Sequence, residues 1–492
     1  MSKTLLEKLE RFGERPGLER IQFLLNALGN PERAFPAVHV AGTNGKGSTS
    51  AMIASVLRAA GLRVGLFTSP HLVRYNERIV VDGRCISDEE LDALMGELEP
   101  LLRMAAAAPG VGQPTEFEAA TAAAVAYFAR RRVDVAVVEV GLGGSLDSTN
   151  VVRPVVSVMT PIGLDHTNRL GKTLAQIARD KAGIIRPGVP VVSAAQAPEA
   201  AQVIAEAAAA RGAPLLMAGR DFDVRLRGVG PDGTEFDVKV PVTDGEAAGA
   251  AGNAAKAAGH AAKAAERWMK GLRVPLLGAH QAGNGAVAAV ACLVLREAGG
   301  APEPVGAHPA PHPGPDPVPR PAAQQAAPLG KWAGITEAAV REGLRNVRWP
   351  GRMEVLPGRP AVILDGAHNA EAAAVLAEAL RAVFPSRRPV FVFAALREKP
   401  VDRMLEQLLP LGRAVVLTAP RSSRTPPMDP HELARRAADR IEAVFVEPAA
   451  ERAVEKAKAL AGPEGVVCVC GSLYLVGEVR GLLAGEGSFE RE

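Results

Sequence analysis

The sequence predicts an α/β protein built on two mostly parallel sheets. Short β-rich runs alternate with long helical patterns, as they do where parallel strands are joined by crossover helices. The strand-like runs fall into two series separated by more than 150 residues, which points to two sheets and two domains. The length agrees: 492 residues make about two to four domains at roughly 100–200 residues each. With 48% hydrophobic residues, the chain can fill such cores.

The first series comprises strands at 37–41, 63–67, 133–140, 155–160 and 189–193. The second comprises 361–365, 390–394, 414–418, 443–446 and 466–470. Residues 1–17 mix Lys3, Glu7, Lys8, Glu10, Arg11 and Glu14 with leucines, so they read as an amphipathic helix, not a signal peptide. Two segments look inserted, at about 244–269 and 299–329. The first is nearly all Ala, Gly and Lys and reads as a solvated helix. The second has nine prolines within 301–322 and reads as an extended linker. His308 and His312 in it share no fixed face for a metal.

Composition narrows the function. Lys plus Arg number 57 against 54 acidic residues, a net charge of +3, too small to argue for nucleic acid or an anionic membrane as partner. With 13 Phe, 3 Tyr and 3 Trp there is little material for a base-stacking platform. The longest apolar run, around 119–129, is well short of the ~18–20 residues that span a bilayer. Four scattered cysteines (Cys85, Cys292, Cys468, Cys470) make no disulfide framework or zinc spacing; they read as small buried hydrophobes in a reducing cytosol.

The strongest chemical signal is HVAGTNGKGSTSAMIASVLRAAG, residues 39–61. A strand ends at Ala41, a glycine-rich turn follows, and a helix starts near Lys46. The backbone N–H groups of such a turn cradle phosphates, and Lys46 supplies a positive charge. The spacing departs from G-x-x-x-x-G-K-[ST]: Val40 stands at the first glycine and Gly47 at the hydroxyl, with Ser48 next. Further signals lie just past other strand ends: Ser69-Pro70-His71, Glu139 before Gly141-Leu142-Gly143-Gly144, and Asp165-His166. Ligands of open parallel sheets bind at this carboxyl edge, so a hydroxyl, a carboxylate and an imidazole converge on the phosphate turn. Oxygen-rich sets of this kind suit magnesium on nucleotide phosphates. Lys181, beside Asp180 on a helix, reads by itself as a surface ion pair. In the second half Trp349-Pro350-Gly351-Arg352 opens the later strands, and one of these ends in Asp365-Gly366-Ala367-His368-Asn369, either a nucleotide-binding edge or an ordinary helix cap.

Taken together, nine strings resemble the folylpolyglutamate synthase/dihydrofolate synthase family of the Mur ligase superfamily, in family order over residues 5–485. They are HVAGTNGKGST, FTSPHLVRYNERI, EVGLGGSLDSTN, IGLDHTNRLGKT, DKAGII, LLGAHQAGN, WPGRMEV, DGAHN and GSLYLVGEVR. The resemblance implies an N-terminal P-loop ATPase-like domain of the Mur ligase central type over 1–346 and a smaller Rossmann-like domain over 347–492. It implies an ATP-dependent amide ligase: the γ-phosphate passes to a folate-type carboxylate, and the amine of L-glutamate attacks the acyl phosphate. ATP, L-glutamate and a pteroate or folate are the implied partners, with two magnesium ions and a monovalent cation. A cytoplasmic monomer is expected.

By the same resemblance Gly45, Lys46, Gly47 and Ser48 hold the triphosphate, and Lys46 steadies the charge in transfer. Ser69, Glu139 and His166 match magnesium positions, and Lys181 matches a lysine that is carbamylated and helps hold the second ion. Lys46, Lys181 and His166 are thus the expected catalytic set. Asn284, Arg352 and Asp365 match ATP contacts spread over both domains, with His368 adjacent, which places the site in an interdomain cleft. Thr115, Phe117, Glu118, Leu146 and Asp147 resemble the pterin-binding segments, and Ser472 the surroundings of the incoming glutamate. Two departures bear on substrate range: Ser145 stands where an arginine is usual, and Leu396-Arg397-Glu398-Lys399-Pro400 keeps only the lysine of an Asp-Lys-Asp pattern. The rivals are a Mur-type ligase acting on a cell-wall precursor, against which DGAHN and GSLYLVGEVR speak, and a nucleotide-binding ATPase that makes no amide bond.

Overall fold

The computed structural model describes residues 5–6, 9, 16–240, 267–298, 329–421, 423 and 425–484. Its larger sheet takes eight strands: β1 (Ala37–Ala41), β2 (Val64–Phe67), β3 (Ile79–Val81), β4 (Arg84–Cys85), β5 (Val135–Glu139), β6 (Pro154–Met159), β7 (Val191–Ser193) and β8 (Leu215–Met217). The order is β4-β3-β2-β5-β1-β6-β7-β8. From β2 to β8 the pairs are parallel, and the short β3–β4 hairpin extends one edge antiparallel. β1 and β5 are buried along their whole length, as parallel strands covered by helices on both faces must be.

A second sheet holds β12 (Glu354–Leu356), β13 (Ala361–Leu364), β14 (Val390–Phe393), β15 (Ala414–Leu417), β16 (Val444–Val446) and β17 (Val466–Cys470), in the order β12-β13-β17-β14-β15-β16. All ten strands expected from the sequence are present, and the two-sheet α/β architecture is borne out. β17 inserts between β13 and β14. The loops after β13 and β17 therefore lie side by side, joined by the Gly471 N–H to the Ala367 carbonyl at 2.9 Å. Cys468 and Cys470 share the inner face of β17, both buried.

Between the two sheets in sequence lies a three-stranded antiparallel sheet that sequence reasoning missed: β9 (Asp223–Gly230), β10 (Gly233–Val240) and β11 (Arg267–Val274), with β10 central. β9 is exposed over most of its length and carries Asp223, Arg225 and Arg227, so it has no apolar run to betray it. β11 begins inside the expected Ala-rich insertion of 244–269, whose last three residues are strand. The rest of that insertion, the Pro-rich segment with His308 and His312, and most of residues 1–17 lie outside the described residues; Leu5, Leu6 and Leu9 are helical, with Leu6 and Leu9 buried. Among the described residues no helix is long and apolar enough to cross a membrane.

His39, in the middle of β1, is completely buried, with Nε2 2.9 Å from Thr149 Oγ1. Burial, with Arg186 nearby, pushes its pKa down to about 3. The unfolded chain therefore takes up a proton below about pH 6.5 that the folded chain refuses, so this group's contribution to stability falls on acidification from pH 6.5 towards 3. Between pH 7 and 5 wild type should lose about 2 kcal/mol more than His39→Leu, measured by urea unfolding. Equal losses in the two proteins would remove His39 as the cause.

Candidate active site

The site forms where the carboxyl ends of β1, β5 and β6 meet the second sheet's loops. After β1 the chain turns through Gly42 and Gly45, both with positive φ. Glycine is required at both: a Cβ on Gly42 would lie 1.9 Å from Thr160 Oγ1, and one on Gly45 would lie 2.6 Å from Asn284 Oδ1. Gly45 caps the helix Lys46–Ala59, whose N-terminal N–H groups point into the turn. The Lys46 ammonium folds back over the turn to the Thr43 carbonyl at 3.2 Å. Ser48 is buried directly below, in the first turn of the helix.

Glu139 ends β5 one strand away, its neighbour Val138 paired with His39 of β1 and Glu139 itself with Val40. Its side chain is buried, and among the described residues its donor is the Ser69 N–H, 3.2 Å from Oε2. Burial raises its pKa to about 7, while Lys46, the Ser69 N–H and Arg352 pull it down. Lys181, at the end of the helix Leu174–Lys181, is buried too, and its amine is brought down to about 7 by burial and by the Lys46 charge. It is therefore no surface ion pair with Asp180.

His166 follows β6 in a left-handed conformation, φ 48°. Burial lowers its pKa, with Lys399, Lys46 and His368 adding to the effect and Asp165 opposing it, so the ring stands neutral, as a metal ligand requires. Asp165 beside it accepts from Lys399 Nζ at 2.8 Å and from Asn369 Nδ2 at 3.3 Å, and lies 3.7 Å from His368 Nε2. Burial would raise its pKa, but His368 and Lys399 override this and hold the carboxyl well below the usual range. Lys399, Asn369 and His368 all come from the second half of the chain, so the two halves are clasped over the phosphate turn. Trp349 adds to this closure: its indole lies against Gly47, where a Cβ would approach it to 2.6 Å.

Arg352 and Asp365 enter from the same side. Asp365 is buried at the end of β13, and its oxygens accept the N–H groups of Met353 at 2.8 Å and Ala367 at 2.9 Å. Burial raises its pKa and Arg352 counters. Asn284 donates to Gln281 at 3.0 Å while its Oδ1 faces Gly45. Ser472 follows β17 with its hydroxyl buried and, among the described residues, without a hydrogen-bond partner.

The expected pterin segments sit differently. Thr115 caps the helix Glu116–Arg130 in a reciprocal capping box with Glu118, and Glu118 also binds Arg20 at 2.9 and 3.1 Å. Phe117 packs on Phe67 with ring centres 5.8 Å apart and faces Gly141. Asp147 is buried and accepts the Leu142 N–H at 2.8 Å and the Thr149 N–H at 3.0 Å, which shapes the glycine-rich loop, while Leu146 on that loop is 53% exposed. Ser145 donates to the Asp180 carbonyl at 2.9 Å, so the residue that replaces the usual arginine ties this loop to the helix carrying Lys181.

Comparison with known proteins agrees with the two-sheet α/β fold. Residues 40–293 match the Mur ligase middle domain, and 351–473 match the Mur ligase glutamate ligase domain. The dihydrofolate synthase/folylpolyglutamate synthase of Bacillus subtilis (strain 168) is 36% identical over 96% of this chain and 95% of its own length. The chain belongs to the folylpolyglutamate synthase/dihydrofolate synthase family. The folylpolyglutamate synthase of Lacticaseibacillus casei is 35% identical over 95% of this chain and 94% of its own. Among solved structures, the Mycobacterium tuberculosis enzyme complexed with ADP superposes with a TM-score of 0.80 at 30% identity, covering 100% of this chain and 99% of that one. A structure of a folylpolyglutamate synthase–AMPPCP–folate complex gives 0.72 at 31% identity, covering 99% and 100%.

Within this family architecture, sequence reasoning names three cleft residues, Asp165, Asn369 and Lys399, inside its motifs but gives none of them a role. Asp165 and Asn369 sit inside the motifs, beside His166 and His368, and the Asp-His and His-Asn pairs were the available signal. Lys399 meets Asp165 across 234 residues, and no local pattern announces such a contact. A second missed cluster lies behind Phe117: Arg78, fully buried, pairs with Glu116 at 3.1 Å and donates to His71 Nδ1 at 3.0 Å, and Tyr75 also bonds Glu116.

Proposed function

We propose that this chain is an ATP-dependent ligase that adds L-glutamate to dihydropteroate and to reduced folates. The observation that carries the reading is the cluster of Lys46, Glu139 and Lys181 around a glycine turn at a helix N-terminus, closed from the other half of the chain by Arg352, Asp365 and His368. The turn's N–H groups, Lys46 and Arg352 supply the donors that a bound triphosphate needs, and its transfer needs water kept out. The family match supports the same activity.

In this reading a carboxylate oxygen of the pterin substrate attacks the γ-phosphorus, ADP leaves, and an acyl phosphate forms. The glutamate nitrogen then attacks the acyl carbon, loses a proton, and phosphate departs. Gly45, Lys46, Gly47 and Ser48 bind the phosphates, with the Lys46 ammonium on the oxygens that gain charge. Asn284, Arg352 and Asp365 complete the nucleotide site. Magnesium fits this cleft: Glu139 offers a buried carboxylate that accepts the Ser69 N–H, His166 a neutral imidazole, and the Ser69 hydroxyl is the further oxygen that the family resemblance implies. Among the described residues no three His, Cys, Asp or Glu side chains gather alone into a metal-holding group. When bound, magnesium neutralises charge on the transferring phosphate.

Lys181 is the second support. With its amine near neutral pH, the free base adds CO2, forming an N–C bond and releasing a proton, and the resulting carbamate is an anionic oxygen ligand. Thr115, Phe117, Glu118, Leu146 and Asp147 border the pterin side and Ser472 the glutamate side, with His368 a further substrate-binding residue beside the ATP contacts. The division at 346/347, a monomeric state, a cytosolic setting and a monovalent cation belong to the same proposal.

The test is ADP release with ATP, magnesium and L-glutamate, comparing dihydropteroate, tetrahydrofolate and a cell-wall precursor as acceptor, with product masses read. We expect one glutamate mass gained on each pterin. Turnover with the cell-wall precursor alone, or without any acceptor, overturns the assignment.

A further inference from the structure

One carboxylate crosses the cleft in the direction opposite to the Lys399–Asp165 contact. Glu371, in the first turn of the helix Ala370–Val383, accepts the Asn44 Nδ2 group on Oε2 at 3.1 Å and the Leu164 N–H on Oε1 at 3.1 Å. Asn44 belongs to the phosphate turn, and Leu164 lies two residues before His166. Asn369 holds the other end of the same amide, its Nδ2 3.2 Å from Asn44 Oδ1. Both ends of the Asn44 side chain are thus set by the second half of the chain.

The approach depends on Gly163. A Cβ there would lie 1.7 Å from Glu371 Oε2, and its next two nearest heavy atoms, at 2.3 and 2.4 Å, are the remaining atoms of that same carboxylate. A methyl group at this position would push Glu371 away and meet nothing else that close.

We propose that Glu371 is a positioning residue for ligation: when the cleft shuts, its carboxylate orders the phosphate turn through Asn44 and the His166 loop through the Leu164 N–H, so the two loops reach working geometry together. The inference rests on the ligase reading above. Glu371 is exposed, so its bonds add little to stability. Among the described residues Glu371 bonds Asn44 and Leu164 and none of the groups assigned to the nucleotide, so nucleotide can bind without it, and what it supplies is alignment at closure.

The test uses the full chain as wild type, Glu371→Ala, Glu371→Gln, Gly163→Ala and the double Gly163→Ala/Glu371→Ala. Glu371→Ala should lower kcat about tenfold while the Kd for ADP and the Tm stay at wild-type values. Glu371→Gln, which keeps one acceptor, should recover part of the loss. Gly163→Ala should match Glu371→Ala, and the double variant should fall no further than either, since both remove one interaction. Hydrogen exchange at residues 42–48 and 162–166 should speed up in Glu371→Ala, a readout that needs no turnover. A kcat within twofold of wild type, multiplied losses in the double variant, a joint fall of Tm and kcat, or unchanged exchange at the two loops would each overturn the proposal. Absent glutamate-dependent ADP release by wild type would count against the ligase reading, while the exchange data would still judge Glu371.

Discussion

Lys46→Ala is expected to lower glutamate-dependent ADP release by roughly 10²–10³-fold, the loss typical of removing one preorganised donor to a charge that develops in the transition state. The side chain rises from the first residue of its helix and folds over the turn to the Thr43 carbonyl, so it is already placed before nucleotide arrives. It also lowers the pKa of buried Glu139 and of Lys181, which keeps the first closer to its anionic form and the second closer to its neutral amine. Removing Lys46 therefore disturbs Glu139 and Lys181 as well as the phosphate contact. The fold should persist, because Lys46 is no part of the apolar core. Kinetics beside a thermal melt check this: full activity in a folded Lys46→Ala protein would displace the phosphate site from this turn.

Lys181→Ala should be the other severe loss, with partial return of activity when a short-chain carboxylate is supplied. The reasoning is electrostatic. A buried lysine whose ammonium is penalised by burial and by a second lysine spends much of its time as free base near pH 7. A merely structural amine would gain nothing from added acetate or formate. The dependence on pH has a definite sign: below about 7 the amine is protonated and cannot add CO2, so bicarbonate should restore activity above pH 7 and not below pH 6. Lys181→Arg should not rescue, since a guanidinium stays charged and cannot form the carbamate. Full activity in Lys181→Ala without any added carboxylate would remove this residue from the site.

Much of the fold is legible in the amino-acid order. Alternation of apolar runs with helical patterns locates ten of the eleven parallel-paired strands to within about two residues, all but the short β8, because strands buried on both faces are written as continuous apolar stretches. The glycine turn with Lys46 is equally plain, since phosphate binding at a helix N-terminus demands a local arrangement of residues. The β9–β11 sheet escapes because β9 is exposed and charged and β11 is separated from β10 by a long insertion. Strand pairing across such a gap leaves no trace in a short window.

The α/β class, the phosphate turn and the family motifs are each written within a few neighbouring residues, and so the chain's order alone is enough to specify them. Other properties arise only when the two sheets pack. Packing buries Lys181, which local reading places on the surface, and so turns an ordinary lysine into an amine near neutrality. It also brings Lys399 to Asp165, and Glu371 to Asn44 and Leu164, over more than 200 residues. Burial and charge proximity depend on which surfaces meet when two sheets close on one another, and that is a property of the assembled chain, not of any segment in it.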